Sequence, residues 1–238
     1  MRLTKRCEDL LRLLRIARWL TTGQVRRRFF PQATADAARK RLRILTEAGY
    51  LVRFRQHRMS EALFTLGPEG KRMLEKSDGK EVSLERKPPK QLEHFLAIND
   101  VRIAAELAGS LSYFFSCWEL PAVDWHYGVI PDAVFSMHDW TFAVEVDRGV
   151  ETVRFFIRTK ISSYRKGLPG FPLTAILIVT DRSARMKSLA KAIPHNGRRF
   201  LFTTIDLVRE RGLLAPIFYR RVNGGSVSLF QKSLLEVS

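Results

Sequence analysis

Apolar positions recur at helical spacing along the first third of the chain. Leu10, Leu11, Leu14 and Ala17 predict an amphipathic helix over 6–19. Thr21 or Thr22 can cap a second short helix, QVRRRFF, which breaks at Pro31 and Gln32. Thr34 can cap a third, ADAARKRLRILTEA, and Gly49 stands where a helix commonly stops. The period then changes from helix to strand. YLVRF (50–54) and ALFTL (62–66) predict two short strands around the polar turn RQHRMSE, and GPEGKRMLEK predicts a closing helix. Three helices followed by a β-hairpin describe a winged helix-turn-helix. In its third helix Ala38, Leu42 and Leu45 face inward, while Asp36, Arg39, Lys40 and Arg43 face out.

SDGKEVSLERKPPK (77–90) is polar, charged and ends in two prolines, so it reads as a linker after a first domain over 1–76. The second domain, 91–238, opens with a helix, QLEHFLAINDVRIAAELAGS. There follow a strand (YFFSCWEL), a hairpin (129–149), a helix (ETVRFFIRTKISSYRK), a strand (LTAILIVTD), a helix (RSARMKSLAKAI) and a strand (RRFLFTTI). The order α-β-β-β-α-β-α-β predicts a mixed sheet flanked by helices, an α/β (α+β) fold.

Charge sharpens this division. The 238 residues carry a formal net charge of +17. Residues 1–90 hold 23 Lys and Arg against 10 Asp and Glu, a net of +13; the remainder holds 18 against 14, a net of +4. An excess concentrated in the first third, which holds the helix-turn-helix, fits double-stranded DNA as its partner. Arg39, Lys40 and Arg43 on the third helix would enter the major groove. Arg55, His57 and Arg58 in the turn would meet the backbone. The other reading is a protein-binding winged helix with a solvated basic face.

The two cysteines, Cys7 and Cys117, form no CxxC pair, so neither a disulfide framework nor a cysteine-zinc site is expected. A reducing cytoplasm fits. MRLTKR is basic, but charges interrupt the residues after it, so it makes no signal-peptide core. The longest uncharged run, 167–180, contains two prolines and is too short to span a membrane.

Candidate chemistry lies in VIPDAVFSMHDWTFAVEVDRG. With the turn centred between His138 and Asp139, cross-strand partners sum to 277, and Asp132 stands opposite Glu145. Alternation places Asp132, Val134, Ala143, Glu145 and Asp147 on one face, and Pro131, Ala133, Phe135, Phe142, Val144 and Val146 on an apolar core face. Like charges directly opposite destabilise a sheet. Mg²⁺ or Mn²⁺ held by Asp132, Glu145 and Asp147 would offset that and could activate water at a phosphate. The alternative is a solvent-facing surface whose acids pair with Arg148 or Arg154. Lys160 lies in the apolar stripe Val153, Phe156, Ile157, Tyr164 of the next helix. It either snorkels outward or reaches the carboxylates. Glu93, on the domain's first helix, is a further candidate ligand.

Pro131-Asp132 followed by Glu145-Val146-Asp147 resembles the PD-(D/E)xK nuclease superfamily, with Asp147 where the usual triplet lysine stands. Some members take that lysine from the following helix, which here would be Lys160. The wider pattern is TTGQVRRRFF…AARKRLRILTEAGYLVR, LEHFLAINDVRIA, PDAVF, FAVEVDRG and Lys160-x-x-x-Tyr164. It resembles the plasmid replication-relaxation family, including MobC-type relaxases, over about 5–205. That resemblance implies a restriction-endonuclease-like fold and binding of plasmid DNA at a transfer origin, which the protein nicks or relaxes. Asp132 and Glu145 would be metal ligands, Lys160 the catalytic base or charge, and Asp147 a further ligand or orienting group. Accessory mobilisation or coupling proteins are the implied partners, and a homodimer is compatible. The histidines form no H-x-H pair of the tyrosine-relaxase kind. The alternatives are a non-catalytic regulator of plasmid replication or transfer, and a transposase-like end-cleavage subunit that needs a partner.

Overall fold

The computed structural model describes residues 3–57, 59–165, 173–193, 200–220 and 226–229. They form two compact units, Met1–Asn99 and Asp100–Ser238. The division falls within helix α5 (Leu92–Ala108), downstream of the segment read as a linker. That segment is anchored in the first unit: Val82 is buried and its N–H donates to Glu75.

In the first unit the elements run α1 (Lys5–Ala17), β1 (Leu20–Thr21), α2 (Thr22–Phe29), α3 (Ala35–Glu47), β2 (Leu51–Phe54), β3 (Leu63–Leu66) and α4 (Pro68–Asp78). Thr21 caps α2. Its hydroxyl accepts from the Gln24 N–H, and the Gln24 side chain accepts from the Thr21 N–H, a reciprocal capping box. Gln24 also donates to the Leu96 carbonyl, which explains a glutamine buried in this core. Thr34 caps α3, and Gly49, at φ +73°, takes the left-handed turn that ends it. Ala38, Leu42 and Leu45 are buried; Arg39, Lys40 and Arg43 are exposed. The hairpin β2–β3 gains a third strand absent from the sequence reading. β1 pairs antiparallel with β3, an interaction two residues long that alternation could not reveal.

The second unit is built on a mixed seven-stranded sheet of order β10-β9-β8-β7-β6-β5-β4. β4 (Leu111–Ser116), β5 (Ala133–Met137) and β6 (Trp140–Asp147) form an antiparallel meander. β7 (Leu173–Thr180) and β8 (Phe200–Thr204) join β6 in parallel. β9 (Phe218–Tyr219) and β10 (Ser226–Val227) complete the far edge antiparallel. The helix after β6, here α6, has three consecutive pieces: Val153–Phe156, a widened π turn Ile157–Ile161, and Ser162–Arg165. α7 (Ser183–Ala192) and α8 (Ile205–Arg211) follow β7 and β8. The strand pairing β5–β6 has the expected register, with Ala133 opposite Val144 and Phe135 opposite Phe142. Its turn holds His138 and Asp139 at φ +47° and +64°, the double left-handed geometry that matches strand twist in two-residue hairpins.

The solvent-facing alternative falls. The acid-bearing face of this hairpin is not open to water. Ala143, Phe156, Ile161, Tyr164, Ile176 and Ile178 share a buried cluster over it. A strand flanked by a parallel neighbour is commonly covered on both faces, and β6 is such a strand.

Candidate functional site

The carboxylates sit where the meander meets the parallel strands. Asp132 immediately precedes β5 and is tied by backbone bonds to both neighbours. Its N–H donates to Val144 at 3.0 Å, and its carbonyl accepts from Cys117 at 2.9 Å. Its side-chain Oδ2 accepts the Val146 N–H at 2.7 Å. Glu145, on β6, is wholly buried and lies level with Ile178 of β7. Its side chain is shielded from bulk solvent, so neighbouring groups must satisfy it.

α6 supplies them. The π turn inserts one extra residue per turn, a feature often found where a helix must aim a functional side chain. Lys160, inside it, places Nζ 2.9 Å from Glu145 Oε2 and 3.7 Å from Asp132 Oδ1. Tyr164, four residues on, donates its hydroxyl to Glu145 Oε1 at 2.7 Å. The two side chains of the Lys-x-x-x-Tyr pattern therefore take one oxygen each of the same carboxylate. The snorkelling alternative for Lys160 fails, because two acids hold the ammonium inward.

The electrostatics follow. Burial, then the charge of Asp132, pushes the Glu145 carboxyl up to about 7, against the opposing pull of Lys160 and Tyr164. Burial works against the Lys160 charge, but Glu145 and Asp132 outweigh it, and its pKa is raised overall. Burial and the same carboxylates hold the Tyr164 hydroxyl well above its usual range. Tyr164 is thus a buried hydrogen-bond donor and not an accessible nucleophile. Cys117, half-buried beside the group, is pushed up to about 11 by burial first and by Asp132 next, so it is a neutral thiol. Sequence reasoning missed Cys117 as a neighbour, since only the β4–β5 register brings it there.

One expected ligand of this unit lies elsewhere, and another belongs to the first unit. Asp147 does not join the group. Its Oδ2 accepts from Arg185 Nε at 2.5 Å, and its Oδ1 accepts from Arg185 Nη2 at 3.1 Å and from the Gly149 N–H. The partner is neither Arg148 nor Arg154, as an exposed acid face would have required. Glu93 is exposed in the first turn of α5 and belongs to the first unit. Among the described residues no three His, Cys, Asp or Glu side chains gather to hold a metal ion.

The basic residues of the first unit are grouped as expected from the pattern. A cavity of about 840 Å³ opens between α3 and the β2–β3 hairpin, lined by Arg39, Lys40, Arg43, Arg53 and Arg55 among others. Asp36 and Glu47 offer Arg39 and Arg43 intrahelical pairs, at 2.8 and 3.6 Å, all well exposed. His57 is exposed in the turn, and Arg58 lies outside the described residues.

Residues 11–168 match the replication-relaxation family model. The chain belongs to the replication-relaxation family. No curated protein matches the chain. Among solved structures, a crystal structure of protein VC1899 from Vibrio cholerae is similar over 88% of this chain and 55% of that chain, at 11% identity and a TM-score of 0.32. This chain thus spans about half the length of that protein. Among the described residues no helix is long and apolar enough to cross a membrane.

Proposed function

We propose that this replication-relaxation protein is a DNA nickase that acts on plasmid DNA. Its first unit would read the duplex as a winged helix. Its second would cut one strand on a PD-(D/E)xK-like sheet, in the manner of MobC-type relaxases. The observation that carries the reading is the meeting of Asp132, just before β5, with Glu145 on β6, and Lys160 in reach of both. Two carboxylates suit Mg²⁺ or Mn²⁺, which bind few protein oxygens and keep waters for substrate to replace. The donor chemistry fits: two carboxylates share one ammonium, so the pair keeps a net negative charge that a divalent cation can neutralise. Asp132 Oδ1 and Glu145 Oε2 are the oxygens that would hold it. When bound, such an ion polarises a scissile phosphate and a water. Tyr164 fixes the Glu145 rotamer, the Val146 N–H fixes Asp132, and Lys160 offers an ammonium to a phosphate oxygen. The test is relaxation of supercoiled plasmid carrying the native transfer region, with Mn²⁺ or Mg²⁺. Open circles are expected from wild type and none from Asp132→Ala or Glu145→Ala; nicking that survives either substitution removes the reading.

DNA reading rests on the exposed Arg39, Lys40 and Arg43 beside Arg53 and Arg55, with His57 exposed in the turn. Exposed intrahelical pairs are worth little, so phosphates can displace Asp36 and Glu47. Arg39→Ala/Lys40→Ala/Arg43→Ala is expected to lower affinity and reduce the slope of log K against log[salt] by about two to three. Fluorescence anisotropy across a salt series measures it, and an unchanged slope would place the DNA contact elsewhere.

A second reading has its own observation. The triplet position usually held by lysine is Asp147, and Arg185 neutralises it. A regulator of plasmid replication or transfer with a non-catalytic second unit would tolerate that. Tight salt-dependent DNA binding without nicking is its signature.

A further inference from the structure

We propose that Lys160 is the resident counter-ion of the Asp132–Glu145 pair, and that a divalent cation enters this site only by exchange with its ammonium. The inference rests on the metal reading above and adds the residue that sets its affinity. It follows from counting carboxylate oxygens. Asp132 Oδ2 is directed to the Val146 N–H and Glu145 Oε1 to the Tyr164 hydroxyl, each at 2.7 Å. The other two oxygens, Oδ1 and Oε2, converge on Lys160 Nζ at 3.7 and 2.9 Å. A small cation about 2.1 Å from both of these oxygens would claim the space the ammonium fills.

Among the described residues no third acid joins the pair to host both charges side by side. Asp147 is held by Arg185, and among the described residues no third ligand-type side chain completes a cluster. Ammonium and metal ion are therefore mutually exclusive at these oxygens. Lys160 has somewhere to go, because its side chain is 36% exposed while Glu145 is fully buried. On exchange the carboxylates keep a cation, and the released ammonium moves toward solvent, where a DNA phosphate can take it. Metal-free protein would bind the ion weakly for a built-in reason.

Titrating Mn²⁺ into the full chain without DNA tests this by calorimetry. Lys160→Met, which keeps the stem and removes the charge, is expected to bind at least tenfold more tightly than wild type. Lys160→Arg should bind no better than wild type, and Asp132→Asn should abolish binding in either background. If Lys160→Met binds no more tightly while Asp132→Asn still abolishes binding, the exchange is overturned and the metal reading survives. If none of the chains binds, or Asp132→Asn changes nothing, both fall. Lys160→Met leaves a buried carboxylate without its partner and could fold poorly. Thermal unfolding of Lys160→Gln gives a second readout: excess Mn²⁺ should raise its midpoint more than that of wild type, and equal shifts overturn the exchange.

Discussion

Arg185→Ala is expected to destabilise the second unit by about 3–5 kcal/mol, the usual cost of stranding one partner of a buried ion pair. Arg185 grips Asp147 with two nitrogens, and the side chains are only 14% and 5% exposed. Asp147 ends β6 opposite Thr180 of the parallel strand β7, so a carboxylate left there has little access to water. Removing both charges at once, as in Asp147→Asn with Arg185→Met, should recover most of the loss, because the desolvated charge goes with its partner. Urea unfolding of the three chains measures this. A loss below about 1 kcal/mol, the range of exposed pairs, would mean that Asp147 does not depend on Arg185 and is free for another role. The prediction therefore separates a structural carboxylate from a catalytic one within a single Glu-x-Asp triplet.

That separation was beyond the sequence, for a reason that applies to the whole site. Periodicity decides which residues share a face. It placed Ala38, Leu42 and Leu45 inside α3 and aligned Asp132 with Glu145 once the turn was centred on His138 and Asp139. It also put Lys160 on the apolar stripe of α6, from which the π turn aims it at the carboxylates. Periodicity cannot choose a charged partner. Arg185 lies 38 residues beyond Asp147, across a parallel crossover, while Arg148 and Arg154 were nearer in sequence and equally basic. Burial of the acid face was hidden for a related cause. Whether β6 was an edge or a central strand depended on its pairing with β7, which nothing local to the hairpin specifies. Short elements escaped as well: β1, β9 and β10 are two residues each, too short for alternation to register. Tyr164 shows the intermediate case, since its pattern with Lys160 was legible but its role as a buried donor to Glu145 required the sheet.

Wild-type stability is expected to fall as pH rises from about 5 to about 7, and Glu145→Gln to abolish that fall. The Glu145 carboxyl is raised from 4.5 to about 7, first by burial and then by Asp132. A raised acid binds its proton more tightly when folded than when unfolded. Over that window the native state carries more protons than the unfolded chain, so deprotonation costs stability as pH increases. Above about 7 the loss is complete. Its size is on the order of 3 kcal/mol, at 1.36 kcal/mol per pKa unit. Lys160 does not contribute to this slope, because its raised pKa leaves its charge in place throughout the window. Urea unfolding of both chains at steps between pH 5 and 8 isolates Glu145 from the histidines, which the two chains share. Parallel curves would mean that Lys160 keeps Glu145 ionised at every pH tested. A wild-type curve that drops away from the Glu145→Gln curve as pH rises would mean that Glu145 holds a proton up to about 7, which the cation of the proposed nickase would have to displace.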